Sequence, residues 1–124
     1  MKKLLFVFTL VFVFSCKKEP EVVTNVLVEE STYSTKDLGK ELFEGKGMCN
    51  TCHKEDTKII GPSIKEISKI YRDKKASISV FLQGEAEPIV DPTQYEIMKA
   101  NLQITKTMTE EELKALEEYM LSFK

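Results

Sequence analysis

The stretch Cys49-Asn50-Thr51-Cys52-His53 decides how the rest of the chain is read. Two cysteines three positions apart, with a histidine directly after the second, suit one specific chemistry. The thiols add to the two vinyl groups of haem, and the adjacent imidazole is brought to the iron. A histidine held beside the second thioether loses little entropy on coordinating, and His53 is the sole histidine of the chain, so no second one competes for the role. Other uses of this spacing are a dithiol redox pair, a zinc half-site and an incidental disulfide. A redox pair is expected beside a βαβ pattern, which is missing here. A four-ligand zinc site needs more Cys or His than Cys49, Cys52 and His53 supply, unless a carboxylate fills the fourth position. The expected cofactor is one covalent haem c with its iron.

Outward from the motif the chain divides into helices by period and by caps. Upstream, Ser34 or Thr35 can cap a helix whose apolar face is Leu38, Leu42 and Phe43, and Gly45 and Gly47 end it just before Cys49. Downstream, a helix is expected to start at Gly61-Pro62, with Ile64, Ile67, Ile70 and Tyr71 along one side. A short third helix holds Ile78, Phe81 and Leu82 and stops at Gly84. Residues 85–107 contain Pro88 and Pro92 and show no sustained period, so this stretch reads mostly as loop. Thr109-Glu110-Glu111-Glu112 forms a capping box, and Leu113, Leu116, Met120 and Phe123 form the buried stripe of the last helix, with Tyr119 beside it. The domain is therefore all-α, with four or so short helices packed around one covalent haem. A unit this small buries a modest fraction of its surface, and it has no second pair of cysteines for a disulfide framework, so a bound cofactor is expected to serve as part of the core.

The N-terminus has a different character. Met1-Lys2-Lys3 is a short basic start, and Leu4 to Phe14 is apolar apart from Thr9, with Ser15-Cys16 directly after. The apolar run is far shorter than the roughly 20 residues that span a bilayer as a helix, so residues 1–15 read as an export signal. Val13-Phe14-Ser15-Cys16 resembles a bacterial lipoprotein signal, with Phe14 where a small residue is usual; that resemblance makes Cys16 the lipid attachment site. The alternative is ordinary cleavage nearby. Residues 16–34 are polar and acidic and read as a tether, with a short strand at Val22 to Val28 as the other possibility. Eighteen flexible residues reach roughly 23 Å. Residues 35–124 form the domain.

Loss of residues 1–15 removes Lys2 and Lys3, so Lys plus Arg falls from 18 to 16 against 20 acidic residues, a formal charge of −4. No basic patch points to nucleic acid. Lys46, Lys54, Lys58, Lys65, Lys69 and Lys99 lie in the segments expected around the haem and could make that face locally positive.

The motif Cys49-Asn50-Thr51-Cys52-His53 followed by Ile60-Gly61-Pro62 resembles the class I cytochromes c, especially the small bacterial single-haem kind. The likeness runs over roughly residues 35–123: Gly39 and Phe43 match the family's first helix, and Leu116 with Tyr119 the last helix that crosses it. It implies that the Pro62 carbonyl accepts the ring N–H of His53, a bond that orients an axial histidine and raises its basicity.

Five methionines are candidates for the position opposite His53. Met1 leaves with the signal, Met48 abuts the attachment site, Met120 lies in a buried stripe, and Met108 can pack on Leu113 as a hydrophobic staple. Met98 has no such structural duty: it lies in the proline-containing loop, where a side chain can be presented across a haem face, and it is the expected sixth ligand, with Met108, Lys99 or an open position as the alternatives; in the resembling family the methionine also comes from the loop between the third and last helices. The resemblance implies an electron carrier on the periplasmic side, held at a membrane through its lipid anchor. Its redox protein partners would be a membrane oxidoreductase and a terminal oxidase or reductase, with no small-molecule substrate. A haem enzyme or gas sensor with an open distal site is the alternative.

Overall fold

The computed structural model describes residues 33–124. The signal 1–15, Cys16 and the tether up to residue 32 lie outside the described residues. Five α-helices follow one another: α1 Thr35–Glu44, α2 Ile64–Lys74, α3 Ile78–Leu82, α4 Tyr95–Thr105 and α5 Glu110–Leu121. Single 3-10 turns occupy Cys49–Thr51 and Pro92–Gln94, and the one extended pairing among the described residues is an isolated bridge between His53 and Lys58. Among those residues, no helix is long and apolar enough to cross a membrane.

The centre of the fold is the crossing of α1 over α5. A methyl group built on Gly39 would overlap the carbonyl oxygen of Ala115 and come within 2.6 Å of Tyr119 Cβ, so the two backbones touch where any side chain would hold them apart. That closeness is worth the roughly 1 kcal/mol a helical glycine costs relative to alanine. Around the crossing Phe43 and Tyr119 pack with ring centroids 5.4 Å apart, and Tyr119 meets Phe123 edge-on at 5.2 Å. Leu42, Leu113 and Leu116 bury against them.

The start of each helix of this pair is capped: Ser34 rather than Thr35 is the N-cap of α1 and forms a capping box with Asp37, and Thr109 forms the expected box with Glu112. Met108, directly before Thr109, is buried in the same core as Leu113. α2 is locked to the chain's end by Ser68 and Arg72: the Ser68 hydroxyl donates to the carbonyl of Phe123 at 2.8 Å, and Arg72 Nη1 donates to the carbonyls of Leu121 and Phe123 at 2.8 and 2.9 Å. Glu117 of α5 accepts the Ile78 N–H at 2.9 Å and so holds the start of α3.

Two sequence expectations are corrected. Residues 85–107 are not mostly loop, because α4 occupies 95–105. Tyr95, Met98, Leu102 and Thr105 recur at helical spacing on its inner side, but the polar Thr105 interrupts the apolar stripe. Thr105 is buried because its hydroxyl donates to the carbonyl of Leu82 at 2.7 Å. Nor does α2 begin at Pro62: Ser63 is its N-cap, accepting from the Glu66 N–H at 3.1 Å, and the first intrahelical bond runs from Ile67 N–H to the Ser63 carbonyl. Pro62 therefore stands outside the helix with its carbonyl uncommitted to the helical ladder.

Candidate functional site

The motif residues form a single tight turn. The N–H groups of Cys52 and His53 both donate to the carbonyl of Cys49, at 3.1 and 2.9 Å. Met48 enters the turn at φ 50°, a left-handed conformation that a non-glycine residue adopts only where its surroundings hold it there. Upstream, the Gly47 N–H donates to the Leu42 carbonyl at 2.7 Å, which folds the chain back from the end of α1. A Cβ on Gly47 would sit 2.9 Å from Cys49 Sγ, so this glycine leaves the room in which the thiol lies. Both thiols are free. Burial pushes the Cys49 thiol up to about 11, which keeps it protonated at neutral pH.

The imidazole of His53 is fixed from two sides. Its Nδ1–H donates to the carbonyl of Pro62 at 2.7 Å, and because a carbonyl can only accept, the proton belongs on Nδ1 and the lone pair on Nε2. Gly61 lies flat against the ring: a Cβ there would come 2.5 Å from Cε1 and 2.9 Å from Nδ1. The Gly61 N–H donates to the Cys52 carbonyl at 2.9 Å, so one short loop carries both the acceptor and the flat wall. Burial among apolar groups pushes the His53 pKa below its ordinary value, against the opposing pull of the Pro62 carbonyl. The ring is thereby neutral, the form that binds a metal.

Cys49, Cys52, His53, Pro62 and Met98 all line one cleft. Its other walls are apolar side chains from α2, α3 and the segment 88–90, among them Ile67, Leu82 and Val90. Counted out to its open mouth, the cleft holds about 960 Å3, a space that includes open solvent. Met98 is half-buried in the first turns of α4. Met108 is buried in the core and does not line the cleft, whereas Met48 and Met120 do. No group of three or more His, Cys, Asp or Glu suited to a metal ion occurs among the described residues.

Three features of the site were not read from the sequence. Asn101 of α4 donates from Nδ2 to the Gly47 carbonyl at 2.8 Å, tying the helix of Met98 to the loop before Cys49. Its Oδ1 is buried and has no hydrogen-bond partner among the described residues. Lys58 and Asp91, paired at 2.8 Å, join the loop after His53 to the segment before α4. The third is the packing of Gly47 and Gly61, of which the sequence gives only the faint signal that both flank the motif.

The site fits a haem: two free thiols and a neutral imidazole with an exposed-lone-pair Nε2 converge on an apolar cleft, with a thioether on the helix that Asn101 ties down. Comparison with known proteins agrees. The family pattern for cytochrome c matches residues 37–124. Cytochrome c-551 of Azotobacter vinelandii is 46% identical over 35 residues, which cover 28% of this chain and 42% of that protein. The match thus spans less than half of the relative's length.

Proposed function

The chain belongs to the cytochrome c family, and from that membership we propose that it is a single-haem electron carrier, exported and tethered to the periplasmic face of a membrane. The family's cofactor is haem c, covalently bound with its iron, and its members are electron-transfer proteins rather than enzymes. The observation that carries the reading for this chain is the convergence of Cys49, Cys52 and His53 on one apolar cleft, with the His53 ring held at 2.7 Å by Pro62.

When bound, the haem supplies a one-electron Fe(III)/Fe(II) couple. Cys49 and Cys52 would hold it through thioethers, and His53 Nε2 would be the axial ligand, its basicity raised by the bond from Nδ1–H to Pro62. Met98 would fill the sixth position. A thioether ligand raises the potential and leaves no site for a substrate, as suits a carrier. The apolar walls of the cleft, among them Ile67, Leu82 and Val90, would keep water from a bound haem.

Lipidation of Cys16 with two or more chains would anchor the protein stably. The tether would keep the domain concentrated at the membrane while it moves between a membrane oxidoreductase and a terminal oxidase or reductase.

Expression of the full chain in a host that matures c-type cytochromes tests this. The expected product keeps its colour after denaturing electrophoresis and has a low-spin spectrum with a Met–Fe charge-transfer band. Met98→Ala removes the band and lowers the potential; Met108→Ala keeps the band and costs about 2–5 kcal/mol of stability. A colourless chain sinks the covalent haem. High-spin, five-coordinate iron points instead to an enzyme or sensor. Loss of the band in Met108→Ala alone moves the ligand, and an unmodified Cys16 in the mature protein removes the anchor.

A further inference from the structure

Asp91 is the one charged side chain among the residues that line the cleft, since the imidazole of His53 is neutral. A carboxylate at an apolar wall has to be engaged by donors. Two engage it: the Lys58 ammonium donates to Oδ2 at 2.8 Å, and the Thr93 hydroxyl donates to Oδ1 at 2.5 Å. The Asp91 side chain is 16% exposed against 56% for Lys58, so the acid sits inward and the lysine reaches it from the solvent side.

This pair joins the two segments that carry His53 and Met98. Lys58 belongs to the loop after His53, and its backbone pairs with that of His53 in the isolated bridge. Asp91 opens the 3-10 turn Pro92–Gln94, which runs straight into α4 and Met98. The near half of α4 has little else to hold it. No residue from Asp91 to Ala100 is fully buried, whereas Leu102 and Thr105 in its far half are 1% and 0% exposed. Gln94 gives the helix no side-chain cap. Among the described residues, hydrogen bonds tie α4 to the rest of the domain at Asn101, through the Gly47 carbonyl, and at Thr105, through the Leu82 carbonyl. Both lie beyond Met98. Ahead of it stand the packing of Tyr95 on Phe81, with ring centroids 6.2 Å apart, and the pair of Lys58 with Asp91. Other lysine pairs make no such link: Lys46 with Glu112 fastens the loop after α1 to the start of α5, and Lys69 with Asp73 stays within α2.

We propose that Lys58 and Asp91 are positioning residues for the sixth ligand: their pair latches the start of α4 to the His53 loop beside the cleft and so keeps Met98 in place. The inference rests on the reading of Met98 as that ligand and adds what holds it there. With the pair closed, the chain ahead of Met98 is fixed by Asp91 and the chain after it by Asn101, so the thioether is held between two anchors. With the pair open, the near anchor is lost. The first turn of α4 then moves with Met98, and the sixth position becomes accessible to an outside ligand. Neither Lys58 nor Asp91 coordinates anything in this scheme; both act through Met98.

The test uses the full-length ferric holoprotein and imidazole, a small ligand that binds only when Met98 leaves the iron. The exchange replaces an Fe–S bond by an Fe–N bond with no change of oxidation state, and loss of the Met–Fe band follows it. At saturating imidazole the rate reads the opening of Met98. Asp91→Asn, which keeps an acceptor for Thr93, and Lys58→Gln should each speed opening by about fivefold, the scale of an ion pair with one exposed partner. The double variant should open no faster than either single one, because both remove the same contact. Added salt should speed the unaltered protein toward the variants and speed the variants less. Asp73→Asn, which removes a pair of the same charge type within α2, should leave the rate unchanged. Amide exchange should quicken at Tyr95, Glu96 and Ile97 in the two latch variants while α1 and α5 keep their protection, a pattern that general loosening of the fold does not produce. The proposal is overturned if neither variant opens faster than the unaltered protein, or if the two changes add in the double variant. It is equally overturned if Asp73→Asn speeds opening as much, or if exchange quickens evenly through the helices. An unaltered holoprotein without the Met–Fe band, or a Met98→Ala variant that keeps it, instead defeats the ligand assignment on which the inference rests.

Discussion

The Nδ1–H of His53 donates to the carbonyl of Pro62 at 2.7 Å while Gly61, the residue between that proline and the loop, lies against the ring close enough that a methyl group would strike Cε1 at 2.5 Å. The acceptor and the wall are one unit, so the ring cannot shift from one without losing the other. Gly61→Ala should therefore act on the ligand rather than on the helices. Its expected signature is a weakened Nδ1–H bond, seen as a changed potential and a partly high-spin spectrum, with helical circular dichroism retained. A variant with an unaltered spectrum and potential would show that the ring has freedom this packing denies it.

A second glycine tests the fold itself. Alanine is preferred over glycine inside a helix by about 1 kcal/mol, so on propensity alone Gly39→Ala would stabilise α1. The methyl group would instead collide with the backbone of Ala115, which belongs to the centre of α5 and has no flexible end to move aside. Overpacking of this kind costs about 1–3 kcal/mol, and a backbone obstacle puts the cost at the upper end. For a domain of this size that is a fall of roughly 10–20 °C in melting temperature. The sign decides the matter: a rise in melting temperature would mean that α1 and α5 do not touch at Gly39.

How much of this could be read from the chain depends on how local the signal is. Ser34 with Asp37, and Thr109 with Glu112, announce their helices because the capping contacts span three residues. The cofactor motif is legible for the same reason, and Gly39 hinted at the crossing because a glycine is out of place in a helix. α4 escaped notice because it has no side-chain cap at Gln94, a proline sits in the turn leading into it, and its buried face includes Thr105, whose partner is the carbonyl of Leu82 23 residues away. The pairing of the lysines was beyond reach. Lys46 and Glu112 are 66 residues apart, Lys58 and Asp91 33, and composition reports charges without saying which of them meet.

The pair of Lys46 and Glu112 gives a dependence on pH. The Lys46 ammonium, and after it the Thr109 N–H at 2.8 Å, hold the Glu112 carboxyl below the usual carboxylate range. A carboxyl lowered in the folded state contributes stability that is present above its unfolded value of about 4.3 and is lost as pH falls through the folded one. Glu112→Gln keeps an acceptor for the cap but removes the titration. Denaturant midpoints measured between pH 6 and 2 should fall less steeply for the variant, with the difference confined to the acid side and reduced in high salt. The effect is expected to be smaller than that of Gly39→Ala, because the pair is exposed. Parallel curves for the two proteins below pH 4 would show that this carboxyl titrates alike in both states.

Asn101 presents a sharper choice, because its two amide atoms have different fates. Nδ2 satisfies the Gly47 carbonyl at 2.8 Å, and Oδ1 is buried with nothing among the described residues to accept from. Asn101→Ala takes away the donor and leaves the Gly47 carbonyl without its side-chain partner, at a cost of about 1–3 kcal/mol for a group that stays buried. Asn101→Asp replaces the donor with a carboxylate facing that carbonyl and places a charge beside an apolar cleft, which is worse on both counts. The order of denaturant midpoints should be Asn, then Ala, then Asp. The loss should also be local: amide exchange ought to quicken first at Gly47, Met48 and Cys49, since Asn101 is what ties their loop to α4. If exchange quickens evenly through α1 and α5 instead, the bond is merely one contact of the core, and the loop before Cys49 is held by its own turn and by the Gly47 N–H on Leu42.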